Sequence, residues 1–199
     1  MNLSEKTFNL LKNFSSINQS ILFKQGNTLR TMSVMKNILA EADIEEDIPQ
    51  DFAIYDLVRF LNGISLFEEP ELDFTNDSHL TIRDGKSKRT KYFFADPSVI
   101  VAPPEKSIEL PSEDVTFTLD SNNLIQLLKA SAVYGLPDLS AVGEAGVVKL
   151  VIRDKKNDTS DDFSIIVGET DKVFSFNFKI ENIKILPGTY KVDISEKLL

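Results

Sequence analysis

Short amphipathic segments alternate along the chain with runs in which apolar and polar side chains swap at every second residue. Leu3, Thr7, Leu10, Leu11, Phe14 and Ile17 recur at helical spacing and predict a first helix opened by Ser4-Glu5. Ile21-Leu22-Phe23 and Thr28 to Met32 then read as strands on either side of a Gln25-Gly26-Asn27 turn. Phe52 to Tyr55 reads as a strand, after which Asp56 opens a helix that buries Leu57, Phe60, Leu61 and Ile64. Glu71 to Phe74, His79 to Arg83 and Thr90 to Phe94 follow as strands, with an Asp84-Gly85 turn before the last.

The second half repeats the scheme. Val115 to Leu119 is a strand, and Asp120 or Ser121 caps a helix with Leu124, Leu127 and Leu128 inward. Gly146 to Arg153 and Asp162 to Val167 read as strands joined by a polar loop. Phe174 to Ile180 alternates like a strand, Glu181 starts a short fourth helix stopped by Pro187-Gly188, and Thr189 to Ile194 is the last strand. The expected fold class is α+β, with two similar domains, each of two strand–helix–strand units and more strand than helix. Between the halves, prolines 97, 103, 104 and 111 block helix and central strand while leaving an extended connection. The boundary falls there. An N-terminal domain spans residues 1–105 with its connector over about 96–112, and a C-terminal domain spans 106–199.

Composition narrows the function. With 42% hydrophobic and 27% charged residues the chain is an ordinary packed protein, but 31 Asp+Glu against 22 Lys+Arg give a net charge of -9. That balance argues against a simple basic nucleic-acid binder. The absence of cysteine removes disulfides, thiolate metal sites and a cysteine nucleophile. The single histidine, His79, leaves no multi-histidine zinc site. No glycine-rich phosphate cradle is present, no metal or cofactor is expected, and no apolar run approaches the roughly 20 residues of a membrane helix. The chain is read as cytosolic and non-catalytic.

The placement of charge changes this picture. Glu5, Asp56, Asp120 and Glu181 sit at or beside the first helical position, where unpaired N–H groups favour a carboxylate. Beyond that turn the four predicted helices carry no acid. They carry Lys6, Lys12, Arg59, Lys129 and Lys184, with Asn9, Asn13, Asn62, Gln126 and Asn182 between them. Short helices hold few charges, so an ordinary solvated face is one reading. The other is a surface cleared of negative charge for a polyanion, touched without base reading and with strong salt dependence.

In these residues the chain resembles the sliding clamps of DNA polymerases, in particular the trimeric clamps of T-even-like tailed bacteriophages. The likeness is carried by Leu3-Ser4, Leu10 to Phe14 with Ile17-Asn18, Ala40 to Ile44, Phe52 to Leu57, Ala95 to Ser98 with Val101 to Pro103, and Leu124 with Gln126 to Leu128. It ends on Phe174, Phe176 to Phe178 and Pro187 to Lys191. The resemblance implies a ring of three protomers, each with two clamp-type domains whose helices line a hole around duplex DNA and whose antiparallel sheets form the outer wall. It implies a processivity factor for the replicative DNA polymerase, loaded by an ATP-driven clamp loader, taking part in late transcription, in the cytoplasm of the infected bacterial host. The family's basic inner face falls here on Lys6, Lys12, Arg59, Lys129 and Lys184. Partner peptides place apolar side chains in a groove beside the connector, where Val99, Ile100 and Val101 have that character; pinning the connector to its sheet is the competing role for these three. Family chains run on past Ser195 to Leu199, so the C-terminal domain is expected to lack its last strand and the ring to assemble less tightly.

The remaining constellations are weaker. Arg83, Lys86, Lys88 and Arg89, with Lys91, straddle the Asp84-Gly85 turn as a solubilising hairpin tip or as DNA contacts at the rim of the hole. Asn157 to Asp162 lacks the glycine and terminal glutamate of a calcium loop and reads as a solvated hairpin. Glu45-Glu46-Asp47 and Glu68-Glu69 are paired acids beside turns, the only basis for a carboxylate-dependent hydrolase. A non-enzymatic phage structural or assembly protein is the other alternative.

Overall fold

The computed structural model describes residues 1–85, 87–106 and 108–198. The chain divides into two compact units, Met1–Glu105 and Lys106–Leu199, each with its own apolar core.

In the first unit α1 (Glu5–Ile17) starts where its cap dictates: the Ser4 hydroxyl accepts the Thr7 amide, and Glu5 occupies the first turn. Its buried face is Thr7, Leu11, Phe14 and Ile17, four positions at helical spacing. β1 (Ile21–Phe23) pairs with β4 (Phe52–Ile54), and β2 (Gly26–Met32) with β3 (Leu39–Ile48). Asp56 then caps α2 (Leu57–Ile64) by accepting the Arg59 amide. Leu57, Phe60, Leu61 and Ile64 face inward, and α2 packs on α1. β5 (Glu71–Asp73), β6 (His79–Asp84) and β7 (Lys88–Phe93) form an antiparallel sheet in that order. Its β5 side is closed by Met1, which exchanges backbone hydrogen bonds with Leu72, whereas β7 is exposed along almost all its length.

In the second unit β8 (Val115–Leu119) alternates buried and exposed and leads into α3 (Ser121–Tyr134), capped by Asp120 and stopped by Gly135. Gly135 takes φ +67°, a left-handed conformation that closes the helix at little cost to glycine. β9 (Asp138–Glu144), β10 (Val147–Arg153), β11 (Phe163–Glu169) and β12 (Phe174–Lys179) form an antiparallel sheet in the order β11-β10-β9-β12, and β13 (Tyr190–Ile194) pairs with β8. Ala145 and Gly146, both at positive φ, make the tight β9–β10 turn.

Three expectations need correction. The fourth helix is a single 3-10 turn, Ile180–Asn182, so the second unit has one α-helix among the described residues. Ile180 and Ile183 pack against the core while Ile185 is exposed, so no continuous apolar helical face runs along the segment, and β-branched residues favour extended backbone. The strands β3 and β9 were not expected. β3 does alternate, with Glu41, Asp43, Glu45 and Asp47 outward, but its inward positions include two small alanines and Glu46, which weakens the signal; β9 is buried on both faces and shows no alternation.

Candidate nucleic-acid interface

The helices set out the basic side chains. On α1 the buried face leaves Lys6, Asn9 and Lys12 exposed on the opposite side; on α2 the exposed positions include Arg59 and Asn62; on α3 they include Gln126 and Lys129. Among the described residues no α-helix bears a carboxylate beyond its first turn. Lys6 reaches Glu45 only at 3.9 Å with both side chains largely in water, a contact too weak to neutralise it. The Lys12 ammonium lies 4.7 Å from the centre of the Phe8 ring, which restrains its stem and leaves the charge outward. Lys184 is different: it follows the 3-10 turn on irregular backbone and is half-buried.

α1 is anchored from below by a residue whose type first suggested chemistry. The Glu46 carboxylate on β3 accepts the Ser4 amide through one oxygen and the Thr7 hydroxyl through the other, the second at 2.6 Å. Burial pushes its pKa up, but these hydrogen bonds outweigh it and hold the carboxyl below its ordinary range. Glu45 and Asp47 are exposed on the same strand, and Glu68 and Glu69 are exposed before β5, so no pair of acids meets in a cleft. Among the described residues no group of acids and histidine is placed to hold a metal.

The basic hairpin separates into two parts. Arg83 grips Glu71 through Nε and Nη2 at 2.9 and 3.0 Å and approaches Asp73, so its charge is spent within the sheet. Arg83 holds the Glu71 carboxyl below its usual range, and the Thr75 amide does the same for Asp73. Lys88, Arg89 and Lys91 are exposed on β7, and Lys86 lies outside the described residues. His79 lies tilted against Phe93, ring centres 5.2 Å apart, with Ser78 Oγ at 3.2 Å from Nδ1.

The connector is docked on the first unit. Asp96 caps a 3-10 turn over Pro97–Val99, Val99 is 55% exposed, and Ile100 is 8% exposed. Ile100 is thus packing the connector down, while Val99 is the apolar side chain offered outward. The proline run hid this, because nothing in its pattern distinguishes a docked extended segment from a free one.

Two layers of capped, acid-cleared helix face and antiparallel sheet are the parts of a DNA polymerase processivity factor, and the family model of that description matches residues 3–102. A second, described as the gp45 sliding clamp, C terminal, matches residues 116–198. The chain belongs to the sliding clamps of T4-like bacteriophages. It is 35% identical over 201 residues to the sliding clamp of Vibrio phage KVP40, covering 98% of this chain and 90% of that one. To the sliding clamp of Enterobacteria phage T4 it is 35% identical over 199 residues, covering 96% and 86%. Among solved structures it is similar in fold to the proliferating cellular nuclear antigen of Entamoeba histolytica, with TM-score 0.67, 14% identity, and coverage of 95% and 85%. The same antigen from A. fulgidus, solved with the C-terminal region of FEN-1 bound, gives TM-score 0.65 at 16% identity, covering 92% of this chain and 79% of that one. The fold is the clamp fold, and the function is that of a processivity factor for DNA polymerase.

Proposed function

We propose that three copies of this clamp close into a ring around duplex DNA in the infected bacterial host, with Lys6, Lys12, Arg59 and Lys129 turned to the phosphates. The carrying observation is that three helices in a chain of net charge -9 keep their exposed faces free of acid beyond the first turn. A few exposed cations without base-reading geometry give weak, sequence-independent, salt-sensitive contact, which suits a protein that slides. Lys184 contributes least in this reading, and Arg83 is excluded from the rim by its own ion pairs. The two domains are residues 1–105 and 106–199.

Ring closure follows from two open strand edges of opposite charge. β7 is exposed and carries Lys88, Arg89 and Lys91; β11 ends its sheet and is flanked by Asp161, Asp162, Glu169 and Asp171. Different edges joined head to tail make a heterologous contact, which closes into a ring when the rotation permits. An ATP-driven loader opens and closes this ring, polymerase and late-transcription partners dock beside Val99 on the connector, and the clamp performs no chemistry of its own.

The test is the double reversal Lys12→Glu with Arg59→Glu. Self-association is expected to match wild type, while processive synthesis falls and its loss deepens as salt is lowered, because repulsion is then less screened. Wild-type synthesis by the double variant would assign the DNA face elsewhere.

A further inference from the structure

The stretch from Asp96 to Glu105 carries three prolines and looks like a tether, yet the first unit holds it at three points. Ala95 donates its amide to Ala53 O at 2.9 Å. Asn18 Nδ2 then donates to Val101 O at 3.3 Å, and Arg30 Nη1 donates to Pro104 O at 2.8 Å and Glu105 O at 3.3 Å. We propose that Asn18 and Arg30 form a latch that makes the connector a fixed ledge of the first unit, and that Arg30 is its releasable half.

The two halves are built differently. Asn18 is 4% exposed and fully committed: its amide nitrogen also serves Met32 O, its oxygen accepts from Ser20, and its backbone N–H closes α1. Ile100 is buried beside it, so the first half of the connector is held by packing as well as by hydrogen bonds. The second half is not. Ala102, Pro103 and Glu105 roof a cavity of about 390 Å³ whose floor and walls come from Leu22 and the β1–β2 turn. Pro103 and Pro104 have no N–H, so a strand ladder cannot run through this stretch, and a guanidinium takes the carbonyl oxygens of Pro104 and Glu105.

That guanidinium is itself poorly satisfied. Its Nε lies 2.7 Å from Glu41 Oε2 at an angle too poor for a hydrogen bond, and its Nη2 is buried without a partner. Both contacts to the connector come from one nitrogen, Nη1, so this end is fastened at a single point. Release of Arg30 would leave Asn18 and Ile100 in place and free only residues 102–105, a segment at most about 13 Å long when extended. The latch stands on this geometry alone and does not depend on which partners the clamp engages.

The absence of cysteine makes the test clean. A nitroxide on Glu105→Cys in the full chain reports motion of the connector's end, and one on Glu45→Cys, exposed on β3, reports the fold of the unit. In the otherwise wild-type chain the label at 105 is expected to give a restricted spectrum. Arg30→Ala should move most of that signal into a fast component several-fold shorter in correlation time, with the label at 45 unchanged. Arg30→Lys keeps charge and stem but loses the fork, and should show the same transfer to a smaller extent. A spectrum at 105 unaltered in both variants overturns the latch. An equal change at 45 also overturns it, since the loss is then of the unit's fold rather than of its connector.

Discussion

Glu46 shows how a residue's meaning depends on what stands across from it. In the sequence it is one of three consecutive acids; in the fold it alone turns inward, to the first turn of α1, while Glu45 and Asp47 stay in water. Its folded pKa lies below the ordinary carboxylate value, so its contribution to stability is complete above that value and is lost as pH falls through the ordinary and then the lowered one. Glu46→Ala is therefore expected to cost about 1 kcal/mol near neutral pH and less at an acid pH below the ordinary glutamate value of about 4.3. Denaturant titrations at the two pH values check this, and an equal loss at both would contradict it. Ile100 makes the same point for an apolar side chain. Its hydrophobicity was legible and its direction was not, because a run of three apolar residues between prolines has no period to orient it. Ile100→Asp should destabilise the first unit by about 3 kcal/mol or more, as burying an unpaired charge does. Val99→Asp should leave the unfolding midpoint in place and weaken only partner binding. The pair separates packing from docking.

Among elements, the three α-helices were readable because cap and period agree: Ser4, Asp56 and Asp120 stand one residue before runs with apolar faces. The strands β1, β2, β4 to β8 and β10 to β13 were readable from alternation or from turns. β3 and β9 were hidden for opposite reasons, one too polar and one too buried. The fourth helix does not form because an acid and a Pro-Gly stop frame a segment with no continuous apolar helical face between them. This bears on function through charge. Lys129 projects from a capped 14-residue helix, whereas Lys184 sits half-buried past a 3-10 turn. Lys129→Glu is expected to reduce clamp-dependent synthesis clearly more than Lys184→Glu in a salt series. Equal loss from both would restore Lys184 to the DNA face.

At the scale of the whole molecule, the acidic balance and the DNA function are reconciled by segregation. The acids lie on strands, loops and first helical turns, and the exposed helix faces carry Lys, Arg, Asn and Gln. Repulsion from the outer surface and weak attraction at the helices would together disfavour tight binding and permit sliding. In the proposed ring the opposite charges of the β7 and β11 edges would carry the assembly. Replacing Lys88, Arg89 and Lys91 with glutamate should shift the chain toward monomer in sedimentation velocity, and an added reversal of Asp161 and Asp162 to lysine should recover part of the association. Association unchanged by the first set would place the contact on other edges.

The central claim, a closed ring held on DNA by topology rather than by affinity, is tested most directly by retention on circular against linear DNA. Clamp loaded onto a nicked circle is washed at raised salt, and the circle is then cut once with a restriction enzyme. The ring account predicts that clamp stays with the intact circle through the wash and leaves promptly after the cut, by running off the new ends. Equal retention before and after cutting, or loss from the intact circle as salt is raised, would show that the protein is held by surface contact and does not encircle DNA.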